Sequence, residues 1–355
     1  MNSTIRTTLC AALVAATATV AHAQQPFDGL KDAYEGFFKM GVAVNQRNIA
    51  DSLQSALLVQ NYNSITAEND MKPEPTEPSE GNFRWDAADR IANFCRKNGL
   101  RMRGHCLVWH NQIGRWMFEG ENGQATKEEL LQRMRRHIHA IVSRYRDVVY
   151  CWDVVNEAIT DDPRADNPYR PSTLYQIAGE EFIEKAFVYA HEADPDALLF
   201  YNDYNETDPV KCERICQMVE RMKARGIPIH GIGMQGHYNI HYPDSALLEA
   251  AINNYRRVVD HIHVTELDIR ANREKGGQLQ FSRTVEADVD SLDALLTAQY
   301  TRVFDVFRRH ADVIDCVTFW NLSDRDSWLG ADNYATPFDT HYQPKPAYYG
   351  IRDWR

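Results

Sequence analysis

The sequence predicts a (β/α)8 barrel of the TIM type, folded as a single domain. Three observations carry the prediction. Eight short apolar runs, enriched in β-branched and aromatic residues, recur along the chain and read as strands. Stretches with apolar residues at helical spacing fall between them. Segments entering the strands are short and segments leaving them are long, so one face of the sheet collects the loops, as a barrel does where it builds its site. A doubly wound open sheet is the alternative for such alternation. No G-x-G-x-x-G or G-x-x-x-x-G-K-[ST] run follows any strand, so nucleotide binding has little support.

Taken in order, strands are expected over Phe38–Val44, Ser64–Ala67, Arg101–Trp109, Val149–Asn156, Ala197–Tyr201, His230–Gln235, His261–Leu267 and Val313–Trp320. Helices are expected between them. Asp86–Asn98 carries Ala87, Ile91, Phe94 and Cys95 at helical spacing. Thr126–Arg144 opens with a capping box, Thr126 with Glu129, and buries Leu130, Met134, Ile138 and Ile141 on one face. Ser172–Ala193, Asp208–Arg225, Ser245–Val259 and Ser291–Arg309 are comparable. Lys97-Asn98-Gly99 is a short entry to the third strand, whereas Glu68–Trp85, His110–Ala125, Glu157–Pro171 and Asp268–Asp290 are long exits.

Residues 1–23 read as a signal peptide. Arg6 is their one charge, Leu9 to Val20 is an apolar run of small residues, and Ala21-His22-Ala23 is a cleavage site. Cleavage after Ala23 and export to the periplasm or the medium are expected, leaving a catalytic domain over 24–355. No later segment reads as membrane-spanning. The chain has 39 basic and 50 acidic side chains, a formal charge of −11, and loss of Arg6 makes it more acidic still. Nucleic acid and anionic membrane are therefore poor partners, while a neutral polysaccharide is compatible. Six cysteines follow the signal segment, and Cys106, Cys151 and Cys316 lie inside expected strands, which favours free thiols. Their spacing is not that of a zinc site.

The chemistry concentrates at strand ends. Val149–Ala158 is an apolar strand that stops at Asn156-Glu157, and His261–Asp268 is another that stops at Glu266. Two such glutamates are a candidate pair for acid/base and nucleophilic work on a glycosidic bond. Each alone could equally be a solvated strand terminus. Side-chain alternation places Asp153, Val155 and Glu157 on one face, and likewise Gln235 with His237 and Glu266 with Asp268, so Glu157, His237 and Glu266 can meet at the axis. Other strand ends supply amides, imidazoles, Lys72 and several tryptophans, which suit a ligand covered in hydroxyls. Ordinary roles compete: a structural histidine at His105 or His237, packing for Trp109, Trp320 and Trp328, a solvated Lys72, loop amides for Asp268. The pairs His137/His139 and His261/His263 sit away from the expected loop face, so no metal is expected.

Glu68-Asn69-Asp70-Met71-Lys72, Gly104-His105 with Trp109-His110, Trp152–Ala158, Gln235-Gly236-His237 and Thr265–Asp268 resemble family-10 glycoside hydrolases, from about Phe37 to Tyr349. The resemblance implies a retaining endo-β-1,4-xylanase on a (β/α)8 barrel, without cofactor and monomeric, acting on β-1,4-xylan and xylo-oligosaccharides. It implies Glu157 as acid/base, Glu266 as nucleophile, Asn156 on the sugar 2-hydroxyl, and His237, held by Asp268, as the partner of Glu266. Glu68, Asn69, Lys72, His105, Trp109 and Gln235 would line the glycone side, roofed by Trp320 and Trp328. Tyr201 or Tyr204 would stack nearer the aglycone. Three positions depart from the family pattern: Gly114 for a usual Pro, Asn321 for a usual Gly, and Cys106 for a usual Thr. A β-1,4-glucanase or mannanase is a competing enzyme, and a barrel that grips glycans without cutting them is a competing binder. The Glu68–Lys72 motif and the tryptophan pair favour xylose chains.

Overall fold

The computed structural model describes residues 27–121, 123–271 and 289–355. The signal-like segment and most of the expected Asp268–Asp290 loop lie outside the described residues. Eight parallel strands alternate with eight principal helices: β1 (Lys39–Val44), α1 (Ser52–Asn61), β2 (Ser64–Ala67), α2 (Asp86–Asn98), β3 (Arg101–Trp109), α3 (Lys127–Tyr145), β4 (Val149–Asn156), α4 (Glu181–Ala193), β5 (Leu198–Asp203), α5 (Pro209–Ala224), β6 (Gly231–Met234), α6 (Ser245–Tyr255), β7 (His261–Arg270), α7 (Val289–Arg309), β8 (Ile314–Phe319) and α8 (Pro346–Arg352). Each strand pairs with the next, and β8 pairs back onto β1 with Lys39 opposite Cys316 and Val42 opposite Phe319. The sheet is therefore closed, with no edge left open. That settles the barrel against the open sheet.

The strand centres are β-branched and apolar because both faces are covered: Met40, Val42, Ile65, Met102, Val154, Leu199, Ile232, Ile262, Val264 and Val317 are fully buried. Helices cover the outside. On α3, Leu130, Met134, Ile138 and Ile141 all face the sheet, and Thr126 with Glu129 closes the expected capping box.

Several boundaries differ from expectation, each for a physical reason. The expected Ser172–Ala193 helix is two helices, Thr173–Ala178 and α4, because Gly179 turns left-handed at φ 61°. Hydrophobic spacing is continuous across that break and cannot register it. The strands β5 and β7 run on to Asp203 and Arg270, past the end of their apolar runs. Backbone pairing continues there, with Asn202 and Asp203 opposite Gly233 and Met234. All six cysteines from Cys95 onward are free and buried. Among the described residues, no helix is long and apolar enough to cross a membrane.

Candidate active site

The strand β4 delivers Asn156, and the chain then turns left-handed at Glu157, with φ 59°. The Glu157 amide donates to the Asn202 carbonyl at 2.9 Å, which fixes the turn against β5. Its carboxyl is held from two sides. Trp109 Nε1 donates to Oε2 at 2.9 Å, while Gln235 Nε2 and Asn156 Nδ2 donate to Oε1 at 3.0 and 3.2 Å. Burial pushes this carboxyl above its ordinary range, and the nearby charges of Asp203 and Glu266 push the same way against the Gln235 and Trp109 hydrogen bonds.

Glu266, buried on β7, has the opposite environment. Asn202 Nδ2 donates to its Oε1 at 2.9 Å, and His237 Nε2 lies 3.2 Å from its Oε2. His237 Nδ1 lies 3.0 Å from Asp268 Oδ2. Burial alone would push His237 down, but Asp268 and the hydrogen bonds to Asp268 and Glu266 raise it to about 10. Both ring nitrogens then carry protons. Burial alone would raise Glu266, but the His237 hydrogen bond and the charges of His105, His237 and Lys72 hold it at about 2. One carboxyl is pushed toward its protonated form and the other is held ionised within a single site.

A chain of amides joins the two. Asn202 Nδ2 touches both Glu266 and Asn156 Oδ1, the latter at 2.9 Å, and Gln235 Nε2 reaches Asn156 Oδ1 at 3.3 Å as well as Glu157. Below them, Asp153 accepts from His105 Nδ1 at 2.9 Å and pairs with the buried Arg103. To one side, Lys72 donates to Asn69 Oδ1 at 2.9 Å and Gln112 Oε1 at 3.0 Å, with its ammonium 5.0 Å from the Trp109 ring centre. Lys72 is only 6% exposed, so it is a fixed charge and not a solvated one. Glu68 sits on the same rim, its carboxyl pushed up by burial against the neighbouring Asn321 amide and Lys72. Trp320 is 5% exposed and packs edge-on to His105, while Trp328 is 45% exposed, lies beside His237 and donates from Nε1 to Asp268 Oδ2 at 2.8 Å.

The structure thus gathers Glu157, Glu266, Asn156, His237, Asp268, Asn69, Lys72, His105, Trp109, Gln235, Trp320 and Trp328 around one place, with Glu68 beside Lys72. The alternation argument needs correction. Adjacent residues Asn156 and Glu157 both reach the site, because the β4–β5 register shifts after Asp153 and Glu157 turns left-handed. Gln235 and His237 reach the site together as alternation expects, with Gly236 at φ 78° between them. Asn202, Gln112 and Arg103 were assigned no role from sequence, and Asp153 was placed only on the face of Glu157. All four stand in strands or at strand ends, which was the available signal. Of the two tyrosines, Tyr201 lies within β5 and is fully buried, whereas Tyr204 follows it and is half-buried, so Tyr204 alone offers surface.

The three departures have local explanations. Asn321 takes φ 84°, a conformation where Asn is tolerated, and its Oδ1 accepts from the Trp328 amide at 3.0 Å. A Cβ at Gly114 would lie 2.3 Å from Trp116 Nε1, which donates to the Glu77 carbonyl at 2.9 Å. The Cys106 thiol is pushed well above its usual range by burial and stays neutral. The remaining histidine pairs are engaged elsewhere: His137 with Glu77, His139 with Glu192, His261 with Asp315 and His263 with Arg103.

Comparison with known proteins agrees with this geometry. The model of glycosyl hydrolase family 10 matches residues 29–354. The chain is 52% identical over 338 residues to the endo-1,4-beta-xylanase/feruloyl esterase of Xylanibacter ruminicola, covering 92% of this chain and 47% of that protein. It therefore spans about half of that relative. It is 41% identical over 329 residues to endo-1,4-beta-xylanase B of Paenibacillus barcinonensis, covering 91% of this chain and 97% of that one. Among solved structures, a psychrophilic glycoside hydrolase family 10 endo-beta-1,4-xylanase superposes with a TM-score of 0.87 at 57% identity, covering 92% of this chain and 99% of that chain.

Proposed function

Because the chain belongs to glycosyl hydrolase family 10, we propose that it cleaves internal β-1,4-xylosidic bonds of xylan by a retaining double displacement. The observation that carries the mechanism is the split between two carboxyls of one site, Glu157 pushed up and Glu266 held down. Opposed protonation states in a shared site are what an acid and a nucleophile require. In the first step the Glu266 carboxylate bonds to the anomeric carbon, the glycosidic C–O bond breaks, and the Glu157 proton passes to the departing oxygen. In the second, the Glu157 carboxylate takes a proton from water, which displaces Glu266 and restores the starting configuration. The carboxyls of retaining enzymes stand about 5–5.5 Å apart, and a shared framework of amides suits so short a spacing. Asn156 would hold the 2-hydroxyl. Glu68, Asn69, Lys72, His105, Trp109 and Gln235 would line the glycone side, and Tyr204 would stack a sugar on the aglycone side.

Trp320 and Trp328 crowd the space that a hexose hydroxymethyl group needs, and xylose lacks that group. The expected preference in kcat/KM for xylan over soluble cellulose is at least ~100-fold, about 2.7 kcal/mol. Comparable rates on both polymers would sink the substrate assignment. Stereochemistry tests the mechanism: proton NMR of xylotetraose cleavage should show the β-anomer first, and Glu266→Gly should lose nearly all turnover. An α-anomer first, or a trapped intermediate on another residue, overturns it. The reading extends to a monomer exported by residues 1–23, for which cleavage near Ala23, seen by mass spectrometry of the mature protein, is the test.

A further inference from the structure

The backbone that follows Glu157 is the beginning and the end of a closed ring of polar contacts. The Glu157 carbonyl accepts from Arg170 Nε at 2.9 Å. Arg170 Nη2 donates to Asp161 Oδ2 at 2.9 Å, and Asp161 Oδ1 accepts from Lys211 Nζ at 2.6 Å. The same ammonium pairs with Asp203 Oδ1 at 2.8 Å, and Asp203 Oδ2 accepts from the Tyr201 hydroxyl. Tyr201 Oη then accepts from two successive amides, Ala158 N at 2.9 Å and Ile159 N at 3.0 Å, which follow Glu157 directly. Tyr204 braces the ring across its middle, its amide donating to Asp203 Oδ1 at 2.9 Å and its hydroxyl accepting from Arg170 Nη2 at 2.9 Å.

Tyr201 and Asp203 are both 0% exposed and Lys211 is nearly so. A buried ion pair of this kind is weak support for stability, because removing two charges from water costs as much as their attraction returns. What the ring does supply is direction. Glu157 is a non-glycine residue in the left-handed region, a conformation that persists only where the surroundings over-determine it. The ring fixes the two peptides that follow that residue, and β5 fixes its amide.

We propose that Tyr201 and Asp203 are positioning residues that aim the Glu157 carboxyl at the departing oxygen. The proposal rests on Glu157 being the acid/base. Neither side chain hydrogen-bonds the Glu157 carboxyl: Tyr201 acts on it through the backbone, and Asp203 does so through Tyr201 while its charge also pushes that carboxyl up.

Tyr201→Phe removes the hydroxyl alone and leaves the ring of the side chain to fill its place. The readout is kcat/KM, which reports the first displacement, on aryl β-xylobiosides from 2,4-dinitrophenyl to phenyl. Loss of at least ~10-fold is expected for the phenyl substrate, and under ~2-fold for the dinitrophenyl one, whose departure needs no proton. In a Glu157→Ala background the Tyr201 substitution should add no further loss, since two residues serving one proton transfer are not additive. A uniform loss across the series, an additive loss in the Glu157→Ala background, or no loss at all overturns the proposal. Should Tyr201→Phe not fold, the isosteric Asp203→Asn carries the same test, read at the pH optimum of each variant because Asn also removes the charge that raises Glu157, with the same dependence on leaving group expected and a uniform loss overturning it. If Glu157→Ala itself shows no such dependence, the acid/base assignment fails; if it does and the ring variants do not, only the positioning role fails.

Discussion

At the scale of single residues, a carboxyl takes its working charge from the groups within a few ångströms of it. Glu266 is buried and Glu157 half-buried, and burial drives both up. They separate because Glu266 faces a doubly protonated His237, whereas Glu157 faces neutral donors and a further carboxylate at Asp203. His237 is cationic because Asp268 stands behind it. Replacing His237 by Asn removes the positive charge but keeps a donor. Burial then acts on Glu266 with less opposition, the carboxylate takes up its proton at a higher pH, and the acid limb of kcat/KM on an aryl xylobioside should move to higher pH. The alkaline limb, which the proposed acid/base role assigns to Glu157, should move little. An unmoved acid limb would show that His237 is not the group that keeps Glu266 ionised. The residue types of this pair were legible in the sequence, since carboxylates and an imidazole ended expected strands. The opposed protonation was not, because it depends on distances between β4, β6 and β7 that no local pattern encodes.

Elements matter here chiefly where they stop. Alternation along a strand would send neighbouring residues to opposite faces, yet Asn156 and Glu157 share a site. The device is a left-handed residue immediately past the regular strand, and Gly236 is a second such residue shortly after β6. Gly236→Ala tests it. At φ 78° an alanine costs roughly 1–2 kcal/mol, and its Cβ would meet Val264 Cγ1 at 3.0 Å, tighter than an ordinary contact. Urea unfolding should show a loss of about that size, with activity falling as His237 is displaced. A variant of unchanged stability and rate would mean that the turn does not position the imidazole. Strand and helix interiors were legible because burial on both faces, or on one stripe, imposes an apolar pattern. The Gly179 break and the strand ends at Asp203 and Arg270 were not, because a left-handed turn and a polar backbone ladder leave that pattern untouched.

The whole molecule is a closed sheet inside a ring of helices, and it sequesters its thiols in that double layer. Cys106, Cys151 and Cys316 lie within strands, and Cys95, Cys212 and Cys216 lie on helices facing the core, all buried. Burial drives the Cys95 and Cys151 thiols up to about 12, so they remain neutral and unreactive. The mature protein proposed above, which lacks Cys10, should therefore consume almost no aromatic disulfide reagent, and its six thiols should titrate once guanidinium opens the barrel. Rapid labelling of the native state would contradict the packing described. On its own the sequence determined the fold class, the order of the strands and the residue types gathered on the loop face, because period and loop length are local properties and parallel strands joined through helices have few ways to close. It also led to the two carboxylates, through motifs that stand at strand ends. Only the tertiary structure decided that Lys72 is a fixed charge, that Asn202 and Gln112 join the site, and that Tyr204 rather than Tyr201 offers a surface. Each of those facts depends on which side chains from distant parts of the chain exclude water together, and burial of that kind exists only once the barrel has closed.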